Sequence, residues 1–170
     1  RPCKAAVMAV KGADIIDEFI DKGLLECLNE NQAHPVANAF NTNDDFLESD
    51  ADHQLIVKVQ FRQPIKLAGI KIKVDAEEES HPTLLKVYQG KNDMGFDEAS
   101  SDEPTEQFAL EPDQLEHDLA VRFVKYQYVQ SLQLFIEENH GGPATRIQRI
   151  SFTGMPASNM DMKDWKPCKS

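Results

Sequence analysis

The densest run of groups able to do chemistry is Asn41-Thr42-Asn43-Asp44-Asp45-Phe46-Leu47-Glu48-Ser49-Asp50-Ala51-Asp52-His53. Calcium takes several carboxylate and carbonyl oxygens from one tight loop, so the run invites a calcium reading. The spacing argues against it. Counted from Asn41, the sixth position is Phe46, where an EF-hand turn needs glycine. The twelfth is Asp52, shorter than the bidentate glutamate that closes such a loop. The competing reading has Asp50 and Asp52 accepting backbone N–H bonds at the start of the strand that follows.

The other candidates are scattered. His34, His53, His81, His117 and His140 include no i, i+4 pair, and no H-E-x-x-H or Cys/His zinc spacing occurs. Each reads as a surface or loop residue. Cys3, Cys27 and Cys168 are odd in number and lack a C-x-x-C pair, which suits a reducing compartment better than a disulfide scaffold. Cys27 stands among Leu24, Leu25 and Leu28 and reads as a packing residue rather than a reactive thiol. No G-x-S-x-G elbow is present, and the glycines form no phosphate-binding loop. A glycosidase needs two carboxylates about 5–10 Å apart across a cleft. With 29 acidic residues the sequence leaves that open. The Glu77-Glu78-Glu79 run reads as a solvated turn. Aromatic and basic residues interleave in Val121-Arg122-Phe123-Val124-Lys125-Tyr126-Gln127-Tyr128. Period-two alternation makes this a strand with one apolar face rather than a nucleic-acid platform.

Composition narrows the classes further. A chain of 170 residues, 41% hydrophobic and 28% charged, suits one domain with a substantial core. Its net charge of -11 repels phosphate backbones and anionic lipid, which argues against nucleic acid and membrane as partners. An acidic face would steer the domain toward a basic protein, although most of these charges serve solubility. No apolar run approaches the roughly 20 residues that span a bilayer. Ala5 to Val10 is too short for a signal peptide.

The elements that must position these groups are mostly strands. Residues 13–25 read as a short helix, with Ile15, Ile16, Phe19 and Ile20 on one stripe and Gly23 as its stop. From Leu24 to Asp52 the chain reads as irregular connection, pinned to a core by Phe40, Phe46 and Leu47. Residues 54–61 alternate cleanly, with Leu55, Val57, Val59 and Phe61 on one face. Residues 65–74 repeat the pattern through Ile70, Ile72 and Val74, after a connection at Arg62-Gln63-Pro64. Strands are also expected over 84–89, 107–110, 119–127, 132–136 and 146–153, with a breaker at Gly141-Gly142-Pro143. Such spacing predicts an all-β sandwich or jelly roll. Leu55, Val57, Val59, Ile70, Ile72, Val87, Val124, Leu134, Ile136, Ile150 and Phe152 are expected on its inner faces.

Several segments without evident chemistry resemble a known family. Glu26-Cys27-Leu28-Asn29-Glu30 and Leu47-Glu48-Ser49-Asp50-Ala51-Asp52-His53-Gln54-Leu55-Ile56 are similar to the opening of the PITH domain. Phe61-Arg62-Gln63-Pro64-Ile65-Lys66-Leu67 resembles its F-x-Q-P-[IV]-K-L step. Val124-Lys125-Tyr126-Gln127-Tyr128-Val129-Gln130-Ser131-Leu132 resembles its V-K-F-Q-N-V-x-S-L signature, with Tyr128 where the family usually has Asn. Thr145-Arg146-Ile147, Phe152-Thr153-Gly154 and Asn159-Met160-Asp161-Met162-Lys163 continue the match in order. It covers residues 14–166, and residues 1–12 match nothing in the pattern.

The resemblance implies an all-β, galactose-binding-like jelly-roll sandwich with one short N-terminal helix. The division is an unassigned segment 1–12, a PITH domain 13–157 and a tail 158–170. It implies a non-catalytic interaction module without cofactor or metal, expected as a monomer in cytoplasm and nucleus. The implied partner is the proteasome regulatory particle. Family members occur with or without a thioredoxin domain, and the W-C-G-P-C dithiol motif is absent from this chain. A carbohydrate- or small-ligand-binding jelly roll is the alternative, with Tyr88, His81 and Asp93 as its hints. Candidate partner-binding residues are Asn159, Met160, Met162, Lys163 and Trp165 in the tail. Trp165 suits either a binding anchor or a plug at the sandwich edge.

Overall fold

Alternation through Leu55, Val57, Val59 and Phe61 starts a strand much longer than the sequence pattern suggests. In the computed structural model, which describes residues 14–41, 45–74, 78–111, 115 and 118–157, β4 runs unbroken over Leu55–Lys73. The other strands are β1 (Asp14–Ile15), β2 (Glu26–Leu28), β3 (Leu47–Glu48), β5 (Pro82–Gln89), β6 (Glu106–Ala109), β7 (Asp118–Ala120), β8 (Val129–Asn139), β9 (Arg146–Ile147) and β10 (Arg149–Pro156). All their pairings are antiparallel.

β4 serves two layers. Its first part pairs with β2 and β8, and β8 continues through β5 to β6. Its second part pairs with β7 and β10, and β10 carries β1. The change falls where Gln60 opposes Ser131 but Ile65 already opposes Val129. Four residues, 61–64, therefore lie against Gln130 alone. A bulge of this kind bends a strand and lets it turn a sandwich corner. Arg62-Gln63-Pro64 is thus part of β4, not a connection between two strands.

Between the layers lie Leu55, Val57, Val59, Phe61, Ile65, Leu67, Ile70 and Ile72 of β4. Val87, Leu132, Leu134, Ile136, Ile150 and Phe152 face them. Burying each such side chain contributes about 1.5–3 kcal/mol. The inward parity changes after Leu67 because β4 bulges there by one residue, Ala68: Thr153 pairs with Gly69, and Gly154 with Leu67.

The opposite face of β4, β8 and β5 is covered by a helix the sequence reading lacked. α1 (Phe96–Ser101) joins Met94 and Ala99 to Ile56, Tyr88 and Phe135 in a second cluster. Glu98 Oε1 accepts the Gly95 N–H at 2.9 Å and closes the helix start. Tyr88 is buried, and its hydroxyl donates to the Ala99 carbonyl at 2.6 Å. Six residues carry too little periodicity to announce a helix.

Two further expectations are corrected. The described part of residues 13–25 is not an α-helix but strand β1 and two 3-10 turns, Asp17–Phe19 and Lys22–Leu24. Ile16 and Ile20 are buried as expected, but Ile15 is exposed. Tertiary hydrogen bonds outweigh local propensity here: Ile16 N–H donates to Phe152 O at 3.0 Å, and Asp21 N–H to Gln60 O at 2.9 Å. The strand expected over 119–127 ends at Ala120, and a 3-10 turn, Phe123–Lys125, follows. Val124, expected inside, is 81% exposed on that turn, whereas all the other inner-face residues named above are buried.

Candidate functional site

The bulge that turns β4 through the sandwich corner also opens a cleft of about 530 Å³. One wall is Gln60 to Pro64, another the exit of β5 at Gln89, Gly90 and Asn92, and the third Tyr128, Gln130 and Ser131 at the entry of β8. Gly90 leaves β5 at φ 72°, a backbone region that glycine enters without strain. Among the described residues of this lining Arg62 contributes the charge, and none carries a carboxylate, imidazole or thiol. Such a surface, with its carboxamides, one guanidinium and the hydroxyls of Tyr128 and Ser131, can hydrogen-bond and stack.

A buried polar network underlies the cleft. Gln133 accepts the Lys91 N–H at 2.8 Å and donates to Asn92 Oδ1 at 3.1 Å, while Lys58 Nζ donates to Asn92 O at 2.8 Å. Gln133 and Lys58 are both buried and directly opposed across β4 and β8. Their bonds hold the loop after β5 in place.

The 3-10 turn displays Val124, and four residues on, Tyr128, which lines the cleft, is 64% exposed. Gln89 links turn and cleft by donating to Lys125 O at 2.8 Å. Glu106 fastens the turn from β6: its Oε1 accepts the Arg122 N–H and the Tyr126 hydroxyl, each at 3.1 Å. Burial, then the negative charge of Glu106, push the Tyr126 phenol well above the ordinary tyrosine range.

The acidic run folds around a different centre. Asn29, at φ 72°, sends Nδ2 to Asp52 Oδ1 at 2.9 Å and to Gln54 O at 2.7 Å. Its Oδ1 accepts the Ala51 N–H at 3.0 Å. Asp52 accepts the Gln54 N–H at 3.0 Å, as the strand-start reading expects. Asp50 instead takes part through its own N–H, which donates to Asn29 O at 2.9 Å. Among the described residues no three His, Cys, Asp or Glu side chains are grouped to hold a metal ion. Cys27 lies half-buried in β2, and burial, followed by the charges of Glu30 and Glu26, raises its thiol far above the usual range.

Tyr88, His81 and Asp93 do not form a ligand site. Tyr88 lies in the second cluster, and His81 precedes the far end of β5. The tail residues Asn159, Met160, Met162, Lys163 and Trp165 lie outside the described residues, as do Cys3, Cys168 and His117. Reading along the sequence missed Gln89 and Asn92, because only pairing of β5 with β8 brings them to the cleft. Tyr128, standing where the family usually has Asn, is the signal the sequence carries for the cleft.

The PITH domain family model matches residues 7–170. This chain belongs to the PITH domain family. Thioredoxin-like protein 1 of Schizosaccharomyces pombe is 37% identical over 157 residues, covering 88% of this chain and 54% of that protein. PITH domain-containing protein 1 of Homo sapiens is 30% identical over 142 residues, covering 79% of this chain and 66% of the relative. The chain thus spans about half to two thirds of these relatives' lengths. The fold is likewise similar to that of the family 32 CBM from C. perfringens NanJ, solved in complex with galactose. The TM-score is 0.63 at 11% identity, over 83% of this chain and 98% of the other. A fucolectin from Morone saxatilis aligns at TM-score 0.55 and 9% identity, over 82% of this chain and 48% of that one. At such identities the likeness is one of fold, the galactose-binding-like jelly roll.

The motifs of this PITH domain meet in pairs. Phe61–Leu67 and Val124–Leu132 converge on the cleft, where Leu67 N–H donates to Tyr126 O at 3.0 Å. Glu26–Glu30 and Leu47–Ile56 meet at Asn29. Thr145–Ile147 pairs with Leu47-Glu48 through β9 and β3, and Phe152–Gly154 pairs with β4.

Proposed function

We propose that this PITH domain is a non-catalytic docking module whose partner is the proteasome regulatory particle, in cytoplasm and nucleus. The observation that carries the docking role is Val124, an aliphatic side chain 81% exposed on a turn held by Glu106 and Gln89 beside the cleft. Holding an apolar group in water costs free energy that burial against a partner returns. The described lining, made mostly of carboxamides with one guanidinium, supports recognition over chemistry. Membership of the PITH family supports the choice of partner. The tail residues Asn159, Met160, Met162, Lys163 and Trp165 are proposed as a second contact. Deleting residues 158–170 then weakens capture while leaving the melting temperature unchanged. Affinity capture from native cell extract tests the reading: regulatory-particle subunits enrich over core-particle subunits, and their absence refutes it.

A second reading, a carbohydrate-binding jelly roll, is favoured by the amide-rich lining and by Tyr128 at its rim. Titration with galactose and N-acetylgalactosamine checks it, with saturable binding in the cleft as the supporting result.

A further inference from the structure

The cleft's polar groups are largely unspent. Gln89 and Asn92 are committed to Lys125 and Gln133. The side chains of Gln60, Arg62, Gln63 and Gln130, by contrast, form no hydrogen bond with another described residue. They line one concavity together with the Tyr128 ring, and the Val124 turn adjoins it through Gln89. We propose that this surface takes an extended segment of a partner protein in which a carboxylate stands beside an apolar side chain. The proposal rests on the docking reading above and names the chemistry of its partner.

Each part of the segment has a counterpart. A carboxamide offers both donor and acceptor, as an unpaired peptide group does, so Gln60, Gln63 and Gln130 suit extended backbone. Arg62 brings the one charge among the described residues of the lining, and a guanidinium pairs a carboxylate through two parallel N–H bonds. The turn that displays Val124 holds its own charges in place, with Lys125 Nζ donating to Thr105 O at 3.0 Å and Glu106 Oε1 accepting the Arg122 N–H at 3.1 Å. Val124 and Tyr128 supply apolar area for the neighbouring side chain. The described lining thus carries a cation, Arg62, on a chain of net charge -11, opposite to the basic partner that total charge suggests. A cleft of 530 Å³ accommodates a few residues in extended form. A neutral sugar would leave Arg62 unpaired and Val124 uncovered.

The probe is the capped peptide Ac-Gly-Glu-Phe-Glu-Gly-amide, titrated into the isotope-labelled full chain and followed by amide NMR shifts. Saturable shifts at Arg62, Gln63, Tyr128 and Gln130 are expected. Affinity should fall at least fivefold for the peptide with Gln in place of Glu, and for the R62E variant, whose exposed side chain leaves the melting temperature unchanged. No shifts at these residues, equal binding of the Gln peptide, or shifts from galactose but not from the peptide would each overturn it. Peptide binding without proteasome capture would refute the proteasome reading alone. Capture without peptide binding would refute this inference alone.

Discussion

Asn29 and Asp52 join two distant stretches of chain: Asn29 Nδ2 donates to Asp52 Oδ1 at 2.9 Å across 23 positions of sequence. Asparagine tolerates the left-handed backbone that this position adopts, and its amide satisfies Asp52, Gln54 and Ala51 together. Replacing Asn29→Ala removes these bonds and strains the backbone, at a cost of about 2–3 kcal/mol. Asn29→Gly loses the bonds without the strain, so it should cost less than Asn29→Ala. Urea midpoints of the two variants measure the difference.

Gly154 sits on β10 opposite the β4 bulge at Ala68, and a Cβ there would run into the carbonyl oxygen of Lys66. The obstacle is backbone, so no rotamer change can relieve it. Gly154→Ala is expected to destabilise the domain by more than about 3 kcal/mol, in the range of severe core defects. Thermal unfolding of the purified variant checks this.

Tyr88 and Tyr126 both have phenols raised above the ordinary range, chiefly by burial, then by Asp102 and Glu106 respectively. Above about pH 10 the unfolded chain sheds these protons while the folded chain keeps them. The stability these phenols contribute is therefore fully present below about pH 10 and declines as pH rises above it, more for Tyr126, whose shift is the larger. Tyr126→Phe costs about 1 kcal/mol at neutral pH through the lost bond to Glu106. It also removes about one proton from the alkaline slope. Denaturant titrations between pH 8 and 11 read both effects.

Cys27 combines a raised thiol with a place in β2, so the folded chain should protect it from alkylation. With Cys3 and Cys168 replaced by serine, iodoacetamide labelling of Cys27 should follow unfolding rather than the intrinsic thiol rate. Rapid labelling under native conditions contradicts this.

Much of the fold was legible because alternation has a strict period of two: Leu55, Val57, Val59, Ile150 and Phe152 could face only inward. Alternation cannot reveal a bulge, so the continuity of β4 through Arg62-Gln63-Pro64 was read as a break. The same rule misplaced Val124, because Val121 to Tyr128 alternates on paper. Glu106 and the Tyr126 bonds, contributed from β6, instead hold the segment as a turn. The cleft is hidden for a related reason: its walls come from three separated segments, and Tyr128 stands out only as a departure from the Asn usual in its motif. The pairing of the motifs in space was invisible to a linear reading.

Equilibrium binding of the labelled full chain to purified proteasome regulatory particle, compared with the R62E/V124D variant, tests the central claim most directly. Both side chains are exposed, so the variant should keep its melting temperature. Saturable binding by the natural sequence, weakened at least tenfold in the folded variant, is the predicted result. Equal affinity of the two chains, or no binding by the natural sequence, would contradict it.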